Sequence, residues 1–136
     1  MRSIAVALLL AGALASPVRA ARPAPPKGAE AGRIIFMQLC ASCHGKSARG
    51  NGPVARSLKK RPADLTRLAS GNGGAFPVEK VESHIDGREE TEGHGTRDMP
   101  VWGDGLATSV EEEQEREQRI ARAISLLVEY LETIQR

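Results

Sequence analysis

The segment Cys40-Ala41-Ser42-Cys43-His44 constrains this chain more than any other, because it holds both cysteines of the sequence and sets a histidine directly after the second. This spacing is the pattern of covalent haem attachment. Positions 40, 43 and 44 share one face of a helical turn, so two thiols can reach the vinyl groups of a porphyrin while the imidazole reaches its iron. The segment therefore predicts one haem c, bound through Cys40 and Cys43, with His44 as an iron ligand.

Other uses of a Cys-x-x-Cys pair remain open at this point. It also occurs as a redox-active dithiol, as a local disulfide and as half of a zinc site. Dithiol enzymes carry it in a βαβ context, which this sequence does not show. A zinc site needs further ligands, and the only histidines besides His44 are His84 and His94. Haem attachment is the favoured interpretation, with a disulfide or dithiol as the main alternative.

The first twenty residues have the composition of an export signal. Arg2 gives a basic start, an apolar run extends from Ile4 to Leu14, and small residues precede a cleavage point after about Ala20. The run is shorter than the roughly 20 apolar residues that cross a bilayer, so cleavage is favoured over an uncleaved anchor. We expect a signal peptide at 1–20, a Pro-rich lead-in at 21–27 and one domain at 28–136, in the periplasm.

Charge and composition narrow the class of protein further. Loss of Arg2 and Arg19 with the signal leaves 17 basic residues against 17 acidic ones, so charge does not favour a nucleic-acid partner. Aromatic residues are only 3% of the chain, which implies a modest core of its own. A buried porphyrin would supply the missing apolar area. In an oxidising compartment, haem attachment would also prevent the two thiols from pairing.

Hydrophobic periodicity predicts an all-α domain of four or five helices, whose long loops wrap around the haem. The expected helices run from about Gly28 to Ala41, from Leu65 to Ala69 behind an Asp64 cap, from Pro77 to Gly87, and from Thr108 or Ser109 onward. The third helix should bury Val78, Val81 and Ile85. The last helix should bury Ile120, Ala123, Ile124, Leu127, Leu131 and Ile134.

The second iron ligand is expected to be Met99. It lies 55 residues beyond His44 in a loop, and Pro100 favours an extended backbone that can present the sulfur. Met37 precedes the attachment motif in the same helix and is better explained as a core residue. His94 and an open coordination position are the alternatives. A thioether opposite an imidazole gives a higher potential than two imidazoles and keeps both oxidation states six-coordinate.

A carbonyl should accept the remaining ring proton of His44, because such a hydrogen bond fixes the tautomer of a ligating imidazole. Pro53, which lies on a turn nine residues later, is the residue whose carbonyl is predicted to accept this hydrogen bond. An ordinary turn proline is an equally good explanation from spacing alone.

Taken together, these residues resemble class I cytochrome c, over about Gly28 to Gln135. The elements that match are Cys40-x-x-Cys43-His44, Gly52-Pro53, Met99-Pro100, and the helix-pair residues Gly32, Phe36, Leu127 and Tyr130. The resemblance implies haem on Cys40 and Cys43, axial ligands His44 and Met99, and a bond from His44 to the carbonyl of Pro53. It also implies that Gly32 lets the first and last helices approach each other closely, with Phe36 packed near Tyr130.

The expected function is one-electron transfer, without enzyme chemistry, a small-molecule substrate or a nucleic-acid partner. The alternatives are the electron-transferring subunit of a larger oxidoreductase or, with an open position on the iron, a haem-based sensor or peroxidase. A cluster of positive charge suggests redox partner proteins with an acidic docking surface. Its members are Lys46, Arg49, Arg56, Lys59, Lys60, Arg61 and Arg67.

Overall fold

The computed structural model describes residues 27–88, 99–106 and 112–136, which are mostly helical and contain no strand. The α-helices in these ranges are α1 Lys27–Leu39, α2 Ala41–His44, α3 Val78–Asp86, α4 Trp102–Gly105 and α5 Glu113–Thr133. Between α2 and α3 lie 3₁₀ turns at Ala55–Ser57, Leu65–Arg67 and Ser70–Asn72. The all-α expectation is confirmed. Within the described ranges, no helix combines the length and apolar character needed to cross a lipid bilayer.

Several predictions concern residues outside the described ranges. These are the signal peptide at 1–20, most of the lead-in, the alternative ligand His94 and the helix-capping residues Thr108 and Ser109. The helix predicted from Gly28 to Ala41 spans Lys27–Leu39, and Ala41 instead begins α2.

The crossing of α1 and α5 forms the centre of the fold. A Cβ built on Gly32 would overlap the carbonyl oxygen of Leu126 and lie 2.9 Å from the Cβ of Tyr130. One turn further along α1, the ring of Phe36 is 1% exposed and packs against the ring of Tyr130, while Leu127 is 2% exposed. The close approach predicted for these residues is therefore confirmed, because only glycine leaves room for the α5 backbone.

The apolar stripe of α5 is confirmed in its central part. Ile120, Ile124, Leu127 and Leu131 are buried, whereas Ala123 and Ile134 are partly exposed. Ile134 differs because α5 ends at Thr133, which leaves Ile134 beyond the last helical residue. Acidic residues occupy the first turn of α5, where the partial positive charge of the helix end stabilises them.

The predicted boundaries of α3 agree with the structure, but one predicted core residue does not. Pro77 directly precedes the helix, and Gly87 ends it with a left-handed φ of 69°. Val81 and Ile85 are buried, while Val78 is 40% exposed. The prediction for Val78 is wrong because helical side chains lean toward the N-terminus, so a side chain on the first residue projects past the packed face.

Candidate cofactor site

The attachment motif lies where α1 leads into α2. The amide of Cys40 donates to the carbonyl of Phe36 at 2.9 Å, which continues the helical pattern beyond the end of α1. The amides of Cys43 and His44 then donate to the carbonyl of Cys40 at 3.2 and 2.9 Å. The two cysteines and the histidine therefore lie on one helical turn, as their spacing predicts.

Both cysteines are unpaired and partly buried. Burial raises the pKa of the Cys40 thiol to about 11, and the neighbouring Cys43 adds to the effect. Redox-active Cys-x-x-Cys pairs need a thiol whose pKa is lowered, so that thiolate is present near neutral pH. Burial therefore keeps the Cys40 thiol protonated near neutral pH.

A zinc site is not assembled in the described part of the chain. Among residues 27–88, 99–106 and 112–136, no group of three or more histidine, cysteine or acidic side chains is arranged to hold a metal ion. Cys40, Cys43 and His44 thus share a helical turn without converging on one point.

His44 has one ring nitrogen engaged and the other available. Its Nδ1 lies 3.1 Å from the carbonyl oxygen of Ala63. A carbonyl oxygen only accepts hydrogen bonds, so Nδ1 must carry the proton and Nε2 must carry the lone pair. Burial lowers the pKa of His44, and the bond to Ala63 opposes this only in part. The imidazole is therefore neutral near pH 7, with Nε2 able to bind a metal ion.

The loop after the motif folds back on α2 and satisfies its last carbonyl groups. The amides of Gly50, Gly52 and Val54 donate to the carbonyls of His44, Cys43 and Ser42 at 2.8, 3.0 and 3.1 Å. These are the groups that a helix C-terminus leaves without intrahelical partners. A Cβ on Gly52 would overlap the carbonyl oxygens of Ser42 and Cys43, so this loop can lie against α2 only with glycine there.

Pro53 does not accept the hydrogen bond from His44 that was predicted for its carbonyl. Pro53 is exposed within a turn that the amide of Ala55 closes onto the carbonyl of Gly52 at 3.0 Å. The chain then returns to the loop, where the amide of Leu65 donates to the carbonyl of Ala48 at 2.8 Å. That return brings the carbonyl of Ala63, rather than that of Pro53, beside the imidazole. The prediction of a backbone carbonyl as the partner is correct, and the residue assigned to it is wrong.

Met99 is partly buried against the same apolar core that Cys40 contacts. The segment that follows it is fixed by contacts with the end of α3. The Cα of Val101 lies 3.5 Å from the Cβ position of Gly87, and a Cβ on Gly103 would overlap the side chain of Asp86. Met99 thus precedes a segment that packs against the end of α3 and continues into α4.

Neither Ala63 nor several apolar residues that pack on the core were predicted from the sequence. The partly buried apolar residues that pack on the core include Leu65, Leu68, Phe76, Trp102 and Leu106. A backbone acceptor such as the Ala63 carbonyl carries no side-chain signal at all. The nearest signal was the Asp64 cap, which the structure confirms: its side chain accepts a hydrogen bond from the amide of Thr66 at 3.0 Å, although the helix is a 3₁₀ turn.

The positively charged cluster is exposed in the structure. All seven of its lysine and arginine residues, from Lys46 to Arg67, are solvent-exposed. Within the described ranges, none of the seven takes part in an ion pair with an acidic side chain. We call this set the basic surface. Their charge is therefore not neutralised locally and is free to act on an approaching molecule.

The chemistry available at the site depends on two unpaired thiols and one neutral imidazole on a single helical turn, with a thioether on the same core. No protein-family model, curated protein or solved structure matches this chain.

Proposed function

We propose that this protein is an exported one-electron carrier of the class I cytochrome c type, with one covalently bound haem c. The observation that carries the proposal is the state of His44. Its Nδ1 proton is held by the Ala63 carbonyl, and its Nε2 is left for iron one helical turn from two unpaired thiols. Ligating histidines are commonly oriented in this way by a carbonyl or carboxylate.

Four side chains would hold the haem. Each thiol of Cys40 and Cys43 would add its sulfur and hydrogen across a vinyl group, a step that needs no oxidant. His44 Nε2 and the Met99 sulfur would be the iron ligands. When bound, the haem supplies an iron centre that accepts and releases one electron.

The rest of the chain would orient these groups and limit access of water. The Ala63 carbonyl holds the imidazole in one tautomer, and the loop amides keep the end of α2 rigid. Partly buried side chains such as Leu68, Phe76 and Trp102 offer apolar surface that a haem would cover. With His44 and Met99 both held by the protein, the bound haem would supply rapid one-electron exchange.

Met99 is our proposed distal ligand because it is partly buried against the core and follows the motif by a long stretch of chain. Met37 is also partly buried against the core, but it lies on α1 directly before the motif. Should the iron lack a second protein ligand, the protein would instead be a haem-based sensor or a peroxidase. A role as the cytochrome subunit of a larger oxidoreductase uses the same ligands.

We further propose the periplasm as the site of action and a protein with an acidic surface as the redox partner. Residues 1–20 supply the export signal in this proposal. The basic surface is exposed and has no ion-pair partners in the described ranges. Val54, which is 41% exposed, precedes Arg56 by two residues, and its amide donates to the carbonyl of Ser42 in α2. Exposed positive charges suit brief, electrostatically steered association.

The decisive experiment is to express the full chain where haem maturation is available, and to record its mass and visible spectra in both oxidation states. We expect the added mass of one haem and no thiol reactive after denaturation. A Cys40→Ala and Cys43→Ala double variant should lose the covalent haem. A colourless, haem-free protein with two reactive thiols would refute the proposal.

Methionine ligation is tested with a matched pair of variants. Met99→Ala should abolish the far-red sulfur-to-iron band of the oxidised protein, whereas Met37→Ala should keep it. Binding of carbon monoxide by the unmodified reduced protein would favour the sensor or peroxidase alternative. Purification from the native source in a stable complex would favour the subunit alternative over a free carrier.

A further inference from the structure

The side chain of Gln135, just beyond α5, reaches back to a segment that is far away in sequence. Its Oε1 accepts a hydrogen bond from the amide of Ala69 at 3.0 Å. Its Nε2 donates to the carbonyl of Leu65 at 2.8 Å and to that of Leu131 at 2.6 Å. One side-chain amide therefore ties the 3₁₀ turn at Leu65 to the last turns of α5.

Arg136 completes this connection through Thr66, which is only 5% exposed. The Arg136 amide donates to the Thr66 carbonyl at 3.0 Å, and its Nε donates to the Thr66 hydroxyl at 2.8 Å. The guanidinium also bonds the Asp64 carboxylate at 3.1 Å. Asp64 in turn accepts from the amide and hydroxyl of Thr66. Every polar group of this buried residue thus has a partner, which makes the arrangement specific.

The first residue of this hydrogen-bond network, Asp64, directly follows Ala63, whose carbonyl accepts the hydrogen bond from His44. The carbonyl of Ala63 belongs to the peptide group that it shares with Asp64, so any rotation of the Asp64 backbone moves that oxygen. Ala63 itself is exposed. Before it, the side chain of Arg61 makes only a long bond of 3.4 Å to the carbonyl of Gly50. Together with the bond from the Leu65 amide to the Ala48 carbonyl at 2.8 Å, the hold on Asp64 and Thr66 therefore sets the position of the Ala63 carbonyl.

We infer that Gln135 and Arg136 are positioning residues for His44, because they hold the segment that presents the Ala63 carbonyl to its Nδ1. The inference rests on the proposed function, in which His44 is an iron ligand. A firm hydrogen bond from Nδ1 makes an imidazole a stronger electron donor and favours ferric iron. Loosening the network should weaken this bond and raise the reduction potential of the haem.

The test uses the haem-loaded protein and the neutral substitution Gln135→Leu, which leaves the net charge unchanged. We expect a higher reduction potential and a roughly fivefold faster solvent exchange of the His44 Nδ1 proton in the ferrous protein, followed by NMR. Such a change corresponds to the loss of one hydrogen bond of ordinary net strength. The matched control is Gln118→Leu, an exposed glutamine on α5, which should change neither quantity.

A lower thermal midpoint with unchanged potential and unchanged proton exchange would show a merely structural role and overturn the inference. Thr66→Val keeps the shape of the buried side chain but removes its hydroxyl, and it decides the question if Gln135→Leu fails to fold. In either case a normal His/Met spectrum leaves the proposed function standing.

A failure of the proposed function has a different signature, since the parent protein itself would then contain no haem. The ring ¹⁵N shifts of His44 in the protein as purified would still report the position of the proton. Movement of that proton from Nδ1 to Nε2 in Gln135→Leu would support the positioning role, and an unchanged tautomer would overturn it.

Discussion

The ring of Phe36 packs against the ring of Tyr130, with centroids 5.3 Å apart and planes tilted by 51°. Tilted aromatic pairs contribute about 0.5–1.5 kcal/mol beyond the area that they bury. Phe36 also accepts, through its carbonyl, the hydrogen bond from the amide of Cys40. The residue that packs α1 onto α5 is therefore also the one that anchors the turn of Cys40, Cys43 and His44, so the position of this turn depends on helix packing.

Gly32→Ala should destabilise the protein by roughly 1–2 kcal/mol, because the new methyl group overlaps the Leu126 carbonyl and forces the helices apart. Alanine favours a helix over glycine by up to about 1 kcal/mol, which offsets only part of this loss. We expect the thermal midpoint to fall by roughly 5–10 °C in circular dichroism.

The matched control is Gly28→Ala on the same helix. Its methyl group would meet only the end of the flexible Glu129 side chain, which can move away. This variant should be as stable as the parent or slightly more so. Equal midpoints for Gly32→Ala and Gly28→Ala would contradict the close crossing at Gly32.

Gly52→Ala should loosen the loop that covers the end of α2. The added methyl group overlaps the carbonyl oxygens of Ser42 and Cys43, and the loop can move only by losing hydrogen bonds to them. We expect a loss of about 2 kcal/mol in denaturant titrations and a lower ratio of haem to protein after expression. Gly71→Ala, where nothing lies within 4 Å of the new methyl group, should match the parent in both. A fully loaded, stable Gly52→Ala protein would argue against this account.

Asp86→Asn should lower stability in a way that depends on pH. Hydrogen bonds from Arg88 lower the pKa of Asp86, so the folded state favours its carboxylate. A lowered pKa contributes stability that is complete above about pH 5 and is lost as the pH falls below about 4. The free energy of unfolding of the parent should exceed that of the variant by roughly 1 kcal/mol at pH 7, as expected for a partly exposed ion pair. This difference should shrink below pH 4.

Thermal midpoints between pH 3 and pH 7 measure this difference. Asp104→Asn is the control, because Asp104 is 67% exposed and lies 3.5 Å from Arg116. We expect no measurable change for it. If the thermal midpoint of Asp86→Asn were lower than that of the parent by the same amount at every pH, the ion pair would be ruled out as the cause.

Replacing Lys59, Lys60 and Arg61 with glutamine should slow electron transfer to the native partner several-fold at low ionic strength. The rates of parent and variant should converge as salt is added, because exposed charges are screened over about 10 Å at 0.1 M salt. Stopped-flow kinetics over a salt series give both rates. Lys80→Gln with Arg122→Gln removes exposed charge from α3 and α5 and serves as the control. Identical low-salt rates in parent and triple variant would eliminate the basic surface as a docking site.

Sequence patterns were sufficient where a feature depends on residues within a few positions of one another. The turn that carries Cys40, Cys43 and His44 follows from helical spacing alone. The stop of α3 at Gly87 and the cap at Asp64 follow from local backbone chemistry. The Gly32 and Phe36 contact with Tyr130 was expected from the resemblance to class I cytochrome c, and the close packing of α1 on α5 bears it out.

The chemistry of the candidate site, two thiols and an imidazole on one turn, thus follows from the order of the residues alone. The carbonyl that accepts the hydrogen bond from His44 depends instead on how distant parts of the chain fold together. Pro53 and Ala63 both carry a suitable oxygen, and the choice depends on how the chain returns past Ala48 and on the anchoring of Thr66 by Arg136. Hydrogen bonds between residues 19 and 70 positions apart leave no periodic trace in a sequence, because their geometry is set by the folded path of the chain.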